Sequence, residues 1–405
     1  MTRLGMLGTR SAVDIDDHGR CVVAGSSAAF EVWVGAEDGW HDPAAQASTR
    51  QERPGIAPAI ETRVRVAGGD VHTVVFGAYT HPDIFVVEVT NRSSAACAIA
   101  IVAEQLAASV APDGVDSDGP DLLLPRAPRD VVYEASRAEL WNTLHQATSP
   151  LVEGVAVGTP RAFAAKGHCA LVYPLPHAAM LRFAVCCTEG TREPIALDAL
   201  PSLDAVEAGW RAQLQRGMRV ELADQRLQHA IDAARVSLLI EHATERATPD
   251  MMMALEDWGF DTEAEDAFDQ LGFRDRRRVA TRANDAAPWS HLEAILRTMG
   301  PTLECPDGPA HFLRHVRHLV AQERPDGTVD VVTHLPPTWA GQALTITDIP
   351  TRVGRLSVAI RWHGNRPAVL WEADKPGVRL HLPGLDPVWM SDEQSGEALL
   401  APVGV

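Results

Sequence analysis

"DIFVVEVTNRSSAACAIAIVAE", residues 83 to 104, decides the fold class. Phe85, Val87 and Val89 share one face of an extended chain, and Val86, Glu88 and Thr90 share the other, because successive strand side chains point to opposite sides. A polar interruption at Asn91 to Ser94 precedes a second apolar run from Cys97. Working outward, "SAVDIDDHGRCVVAG" (11–25) reads as a hairpin turning at Asp17-His18-Gly19, and "ETRVRVAGGDVHTVVFGAY" (61–79) as another turning at Gly68-Gly69-Asp70. Strands also fit "AFEVWVG" (29–35), "GVAVGTPRAFAA" (154–165), "HCALVYPL" (168–175) and "MLRFAVCC" (180–187). Many short strands with turns between them and few helical periods predict a large antiparallel sandwich. "APDGVDSDGPDLLLPRAPRD" (111–130) reads as an exposed loop, and it fails the calcium-loop pattern because position 114 is Gly and no Glu closes it.

The period changes near Leu200. In "DQRLQHAIDAARVSLLIEHATE" (224–245), Leu227, Ile231, Ala234 and Leu238 form the stripe of a core-facing helix. Three further helical segments follow: "MMMALEDWGFDTEAEDAFDQL" (251–271), "PWSHLEAILRTMG" (288–300) and "PAHFLRHVRHLVAQE" (309–323). From about Asp326 strands return, with Leu356, Val358, Ile360 and Trp362 alternating before a turn at "HGNR". The chain therefore reads as multi-domain β + α: a β-sandwich domain over 1–200, a linker helix and α-helical domain over 201–325, and a small β domain over 326–405.

Composition narrows function. The 405 residues are 46% hydrophobic and 22% charged, ordinary for a globular protein, and the formal charge of −18 opposes binding to nucleic acid or to an anionic membrane surface. The opening residues lack the apolar core of a signal peptide, which predicts a soluble, cytoplasmic protein. Asn91-Arg92-Ser93 matches a glycosylation sequon, but without a secretion signal the match carries nothing. Six cysteines show no C-x-x-C or zinc-ligand spacing and read as buried hydrophobes. No P-loop, G-x-G-x-x-G or G-x-S-x-G occurs, so no nucleotide or other cofactor is expected. Ten Trp against three Tyr is a skewed ratio, and flat aromatic faces suit sugar rings.

The segment 251–271 packs seven carboxylates into twenty-one positions. Pro249 and Asp250 suit a helix start and Gly259 the residue past its end. Thr262 and Glu265 suit a capping box, which puts Glu263, Asp266 and Asp269 on a wet face. Glu256 and Asp257 remain, in a last turn where the helix dipole opposes negative charge and beside Trp258. A carboxyl group against an aromatic wall has the setting of a general acid, although placement on an exposed helix end is the simpler account of the same residues. His311, His315 and His318 at i, i+4 and i+7 share a helix face, but no Glu follows the first as in H-E-x-x-H, and Arg314 and Arg317 oppose a cation, so no metal is expected.

Several segments resemble the six-hairpin glycosidase superfamily of glucoamylase-type hydrolases and disaccharide phosphorylases. "PWSHLEAIL" (288–296) resembles the W-S-H segment of a late toroid helix, and "LEDWGF" (255–260) the carboxylate-Trp motifs around its general acids. "FVVEVTNRSSAACAIAI" (85–101) and "GRLSVAIRWHGN" (354–365) resemble strands of its flanking β domains. The resemblance implies an N-terminal antiparallel β super-sandwich, an α/α toroid-like region and a terminal β domain. It also implies Glu256 or Asp257 as catalytic acid, with Trp258, Trp289 and His291 at a substrate cleft; Trp339, in the Gly- and Pro-punctuated β connection "TWAGQALTITDIPTRVGRL" (338–356), is a further candidate for that cleft, with core packing the simpler reading.

A twelve-helix toroid needs roughly 200 residues, more than positions 205 to 325 contain, so the toroid is expected to be incomplete. The superfamily's catalytic base before W-S-H has no counterpart either, since "RDRRRVATRANDAAPWSH" (274–291) offers only Asp275 and Asp285. The expectation is a catalytically degenerate glycosidase-like protein that binds an oligosaccharide or a paralogous glycosidase, or forms a homo-oligomer through uncovered helix faces between 225 and 320. An active hydrolase and a structural or assembly subunit are the alternatives.

Overall fold

A computed structural model describes residues 1–81, 83–111, 116–117, 119–146, 168–188, 190–191, 193–281 and 289–403. The strand expected over 154–165 and Asp285 lie outside the described residues. The chain divides into two compact units, Met1–Glu207 and Ala208–Val405.

In the first unit two large sheets enclose one core. One runs in the order Thr2–Gly5, Ala12–Ile15, Cys21–Val23, Ala29–Ala36, Cys97–Glu104, His168–Leu175, Asp130–Glu134, with Gly39–His41 pairing off its fourth strand. The other runs Ala107–Val110, Asp121–Leu124, Met180–Cys186, Ile84–Asn91, Gly69–Gly77, Ala59–Val66, Arg50–Glu52. The alternation read in 83–104 is realised: Phe85, Val87 and Val89 sit in the core with Ile99, Ile101, Phe30 and Phe183, while Glu88 is only half-buried. Ala67 and Gly68 make a two-residue hairpin, with Val66 opposite Gly69. A side chain at Gly69, whose φ is 154°, would meet the Ser93 backbone at 2.7 Å.

Two expectations are corrected here. Part of the segment 111–130, read as an exposed loop, is the buried strand Asp121–Leu124, because Leu122 to Leu124 supply enough apolar surface to enter the core. That strand runs parallel to Ala107–Val110, a departure from the otherwise antiparallel sheets of this unit. Asn91 of the sequon is fully buried, donating to the carbonyls of Ala95 and Leu175 and accepting from the Ser93 amide, so it is a turn-forming residue.

The outer face of the first sheet carries α1 (Arg137–Gln146), whose Leu140 and Leu144 pack on Trp33, Trp40 and Ala100. Arg137 anchors it, donating to Glu31 at 2.6 and 3.0 Å and to Asp42 at 2.7 Å, with its guanidinium 5.0 Å from the Trp33 ring centre. The helix α2 (Leu203–Leu214) spans the boundary between the units.

Among the described residues the second unit combines six helices, besides the end of α2, with two sheets. They are α3 (Gln225–Thr244), α4 (Pro249–Asp257), α5 (Asp261–Gln270), α6 (Phe273–Thr281), α7 (Trp289–Thr298) and α8 (Pro309–Val320). α8 packs against α3, α4 and α7. One sheet is ordered Arg219–Leu222, Leu344–Pro350, Arg355–His363, Arg366–Ala373, Ser395–Leu399; the other Ala321–Glu323, Thr328–Val331, Arg379–Leu382, Asp386–Ser391. A strand that precedes the helices in sequence thus completes the sheet built from the closing residues. The position 325/326 falls in the turn between the paired strands Ala321–Glu323 and Thr328–Val331. Among the described residues no helix is long and apolar enough to cross a membrane.

Local sequence explains the helix ends. Thr248 caps α4 by accepting from the Met251 amide, Pro249 starts it, and Gly259 at φ 76° ends it. The Thr262–Glu265 capping box is not used: α5 starts directly at Asp261, which places Thr262 inside the first turn. Of the large apolar side chains on α3 to α8, Phe273 is the one mostly exposed among the described residues; the stripe of α3 is buried.

Two buried arginines fix the α4–α5 corner. Arg235 of α3 lies 5.6 Å from the Trp258 and Phe260 ring centres and donates to the Leu214 carbonyl. Arg317 of α8 donates to the carbonyls of Asp257 (3.0 Å), Pro350 (2.9 Å) and Ala321. Arg317→Ala would leave three carbonyls without that partner, and the expected loss is about 3 kcal/mol or more. Urea unfolding of the full chain measures it, and Arg317→Lys should recover only part, because an ammonium cannot span three separated acceptors.

In the first unit, burial works against the charge of Glu61. The hydrogen bond from Arg63 (2.6 Å) and the adjacent His72 outweigh it and hold the carboxyl below its ordinary value of 4.5. A carboxyl depressed on folding adds stability above its unfolded pKa and loses it as the pH falls through the folded value. Glu61→Gln is therefore expected to lower the urea midpoint at pH 7, with the gap from wild type closing as the pH drops below 4.5.

Candidate functional site

The nominated carboxylates lie at a cleft of about 350 Å³ within the second unit. Its walls come from the end of α4 (Met253, Glu256, Asp257), the start of α5 (Asp261), α8 (Arg314, Arg317, His318), the strand after it (Gln322, Glu323) and the turn Pro350 to Arg352. Glu256 and Asp257 are half-buried in the last turn of α4, where the helix dipole opposes them. The Arg317 guanidinium on the Asp257 carbonyl places a cation at that same helix end, which offsets the cost.

Sequence reasoning missed most of the lining. Asp261 and Glu323 add two carboxylates, both already engaged: Asp261 accepts from Arg355 at 2.6 Å, and Glu323 accepts the Arg352 amide at 3.1 Å. Arg314 pairs with Asp250 at 2.9 Å. The cleft is thus rich in donors and acceptors, with carboxylates, guanidiniums, the His318 imidazole, the Gln322 amide and the Thr351 hydroxyl, and no Trp, Tyr or Phe among its lining residues.

The other nominated residues are placed elsewhere. Trp258 is fully buried, its indole nitrogen donating to the Leu313 carbonyl at 3.0 Å, so neither ring face is open to a sugar; it is a core residue of the α4–α5 corner. Trp289 and Trp339 meet edge to face with centroids 6.0 Å apart. Trp339 is buried beside a void of about 10 Å³, room for one water, lined also by Leu222, Trp362 and Leu385.

His291 lies against His311 and His315, whereas His318 lines the cleft. Burial, then the neighbouring His311, His291, His318 and Arg314, push His315 down to about 4. Among the described residues no group of three or more His, Cys, Asp or Glu side chains is placed to hold a metal ion. The thiols are inert where buried: burial pushes Cys97 up to about 12 and Cys169 up to about 11.

No family profile matches the chain, and no curated protein matches it. Among solved structures, it is similar to a family GH92 α-mannosidase from Bacteroides thetaiotaomicron at 8% identity and a TM-score of 0.26, over 61% of this chain and 40% of the mannosidase. The chain thus spans less than half the length of that enzyme, and a likeness this slight assigns neither fold nor activity.

Proposed function

We propose that the protein binds a carbohydrate in the cleft bounded by Glu256, Asp257, Arg352 and Gln322, and does not cleave it. The observation that carries this reading is the lining: a concave site of about 350 Å³, within the range of small-ligand pockets, walled by planar hydrogen-bonding groups of both senses. Carboxylates accept from sugar hydroxyls, and guanidinium and amide groups donate to hydroxyl and ring oxygens. Orientation then comes from hydrogen bonds, without a stacking platform.

Binding without turnover is favoured by the engagement of the added carboxylates. Inverting hydrolysis needs an acid and a base about 6.5 to 9.5 Å apart on opposite sides of the sugar. Glu256 and Asp257 are consecutive on one helical turn, and Asp261 and Glu323 are held by Arg355 and the Arg352 amide. On this reading the chain is a degenerate relative of six-hairpin glycosidases with a truncated helical region, acting beside a paralogous glycosidase or a second copy of itself. The resemblance of 255–260 and 288–296 to that superfamily supports this part of the proposal.

Thermal unfolding of the full chain against a panel of mono-, di- and oligosaccharides tests it. A bound sugar at a hundred times its Kd should stabilise by about 2.7 kcal/mol, with no product by chromatography, and Glu256→Gln or Asp257→Asn should remove the shift. Turnover by wild type that falls by about 10² to 10⁴-fold in one of those variants would instead establish an active hydrolase. Absence of any sugar effect would leave the structural or assembly role and overturn the proposal.

A further inference from the structure

The consecutive helices α5 and α6 expose faces of opposite charge. In α6, Phe273, Arg274 and Arg277 fall at i, i+1 and i+4, on one side of the helix, and all three are exposed. In α5, Glu265, Asp266 and Asp269 repeat that spacing, and they too are exposed. Asp266 lies 3.1 Å from the His242 ring nitrogen and Asp269 3.7 Å from Arg276, yet their side chains stay 62% and 77% exposed. The side chains of Glu265 and Arg274 have no ion-pair partner among the described residues.

Phe273 is 72% exposed, with the Arg277 guanidinium 4.7 Å from its ring centre. An uncovered aromatic ring among arginines has the composition of an interface centre, where Phe and Arg are enriched.

We propose that this surface binds a second copy of the chain across a two-fold axis, α6 of each copy lying on α5 of the other. A two-fold contact uses one patch twice, so it needs a patch that is complementary to itself. The basic face of α6 and the acidic face of α5, with matched spacing, supply that, setting Arg274 against the second copy's Glu265 on both sides of the axis. The Phe273 rings lose their exposure in the same contact. Charge complementarity selects this occupant. A nucleic acid or an anionic membrane would leave the acidic face unmatched and would be repelled by the chain's charge of −18. Two copies also repel at long range, but at 0.15 M salt the Debye length is about 8 Å, which screens the net charge more than the pairs in contact. The surface is independent of the carbohydrate reading, since Glu265, Phe273 and Arg274 do not line the cleft.

Sedimentation velocity of the full chain at rising concentration in 0.15 M salt tests it, with circular dichroism to confirm that each variant folds. Wild type should dimerise, and Phe273→Ser should weaken the dimer by roughly tenfold or more. Arg274→Glu and Glu265→Arg should each weaken it by at least as much, because like charges then meet at both ends of the contact. An equimolar mixture of those two variants should dimerise again, since both pairs are attractive in the mixed dimer. Thermal stabilisation by a bound sugar should be unchanged in all three variants, so this proposal and the carbohydrate reading can fail separately. A wild type that stays monomeric, or one that instead binds anionic vesicles, would overturn the proposal. So would a dimer indifferent to the substitutions, or a mixture no stronger than its components.

Discussion

The second unit depends on a buried cation that clamps three main-chain carbonyls. Arg317 is buried, and taking a guanidinium out of water costs several kcal/mol unless its donors are satisfied. They are satisfied by main-chain carbonyls of three segments distant in sequence: the end of α4, the strand after α8 and the turn at Pro350. Each segment contributes a wall of the cleft. One side chain therefore ties the walls of the cleft together and offsets the unfavourable field at the end of α4.

Arg235 holds the same corner from α3. Trp258 and Phe260 present their rings to that guanidinium, the Trp258 carbonyl accepts the Met218 amide at 2.7 Å, and the indole reaches Leu313. Gly217 is required beside it, because a β-carbon there would stand 2.5 Å from the Trp258 carbonyl oxygen. A tryptophan committed on both ends and over its ring is a packing element, and the carboxylates before it are displayed on a rigid edge.

The sequence made legible what depends on local periodicity. Strand alternation through 83–104 and the presence of α3, α4, α7 and α8 follow from side-chain period and from Gly, Pro and Thr at element ends, whereas the turn read at Gly68-Gly69-Asp70 lies at Ala67-Gly68 and the helix read over 309–323 ends at Val320, where a strand begins. What it hid depends on contacts between distant segments. Glu256 and Asp257 beside a Trp look the same whether that ring lines a cleft or a core, and Leu313, fifty-five positions on, decides between them. Likewise the heptad-like spacing grouped His318 with His311 and His315. Packing of α7 on α8 instead brings in His291, and His318 turns to the cleft. Asp261 and Glu323 carry no local signal at all, since each looks like an ordinary surface acid until Arg355 and Arg352 are placed beside it.

Charge is consistent with the proposed neutral polar ligand. The chain as a whole carries −18, a field that opposes phosphorylated or polyanionic molecules at long range. Inside the cleft, four carboxylates face three guanidiniums, so the local charge nearly cancels and a cation gains little either. A site with strong donors and acceptors but little net charge discriminates through the direction of its hydrogen bonds, because a ligand that fails to match them leaves desolvated groups unpaired at a cost of about 1 to 3 kcal/mol each. The carbohydrate proposed for the cleft, with donors and acceptors alternating around its ring, would meet this constraint.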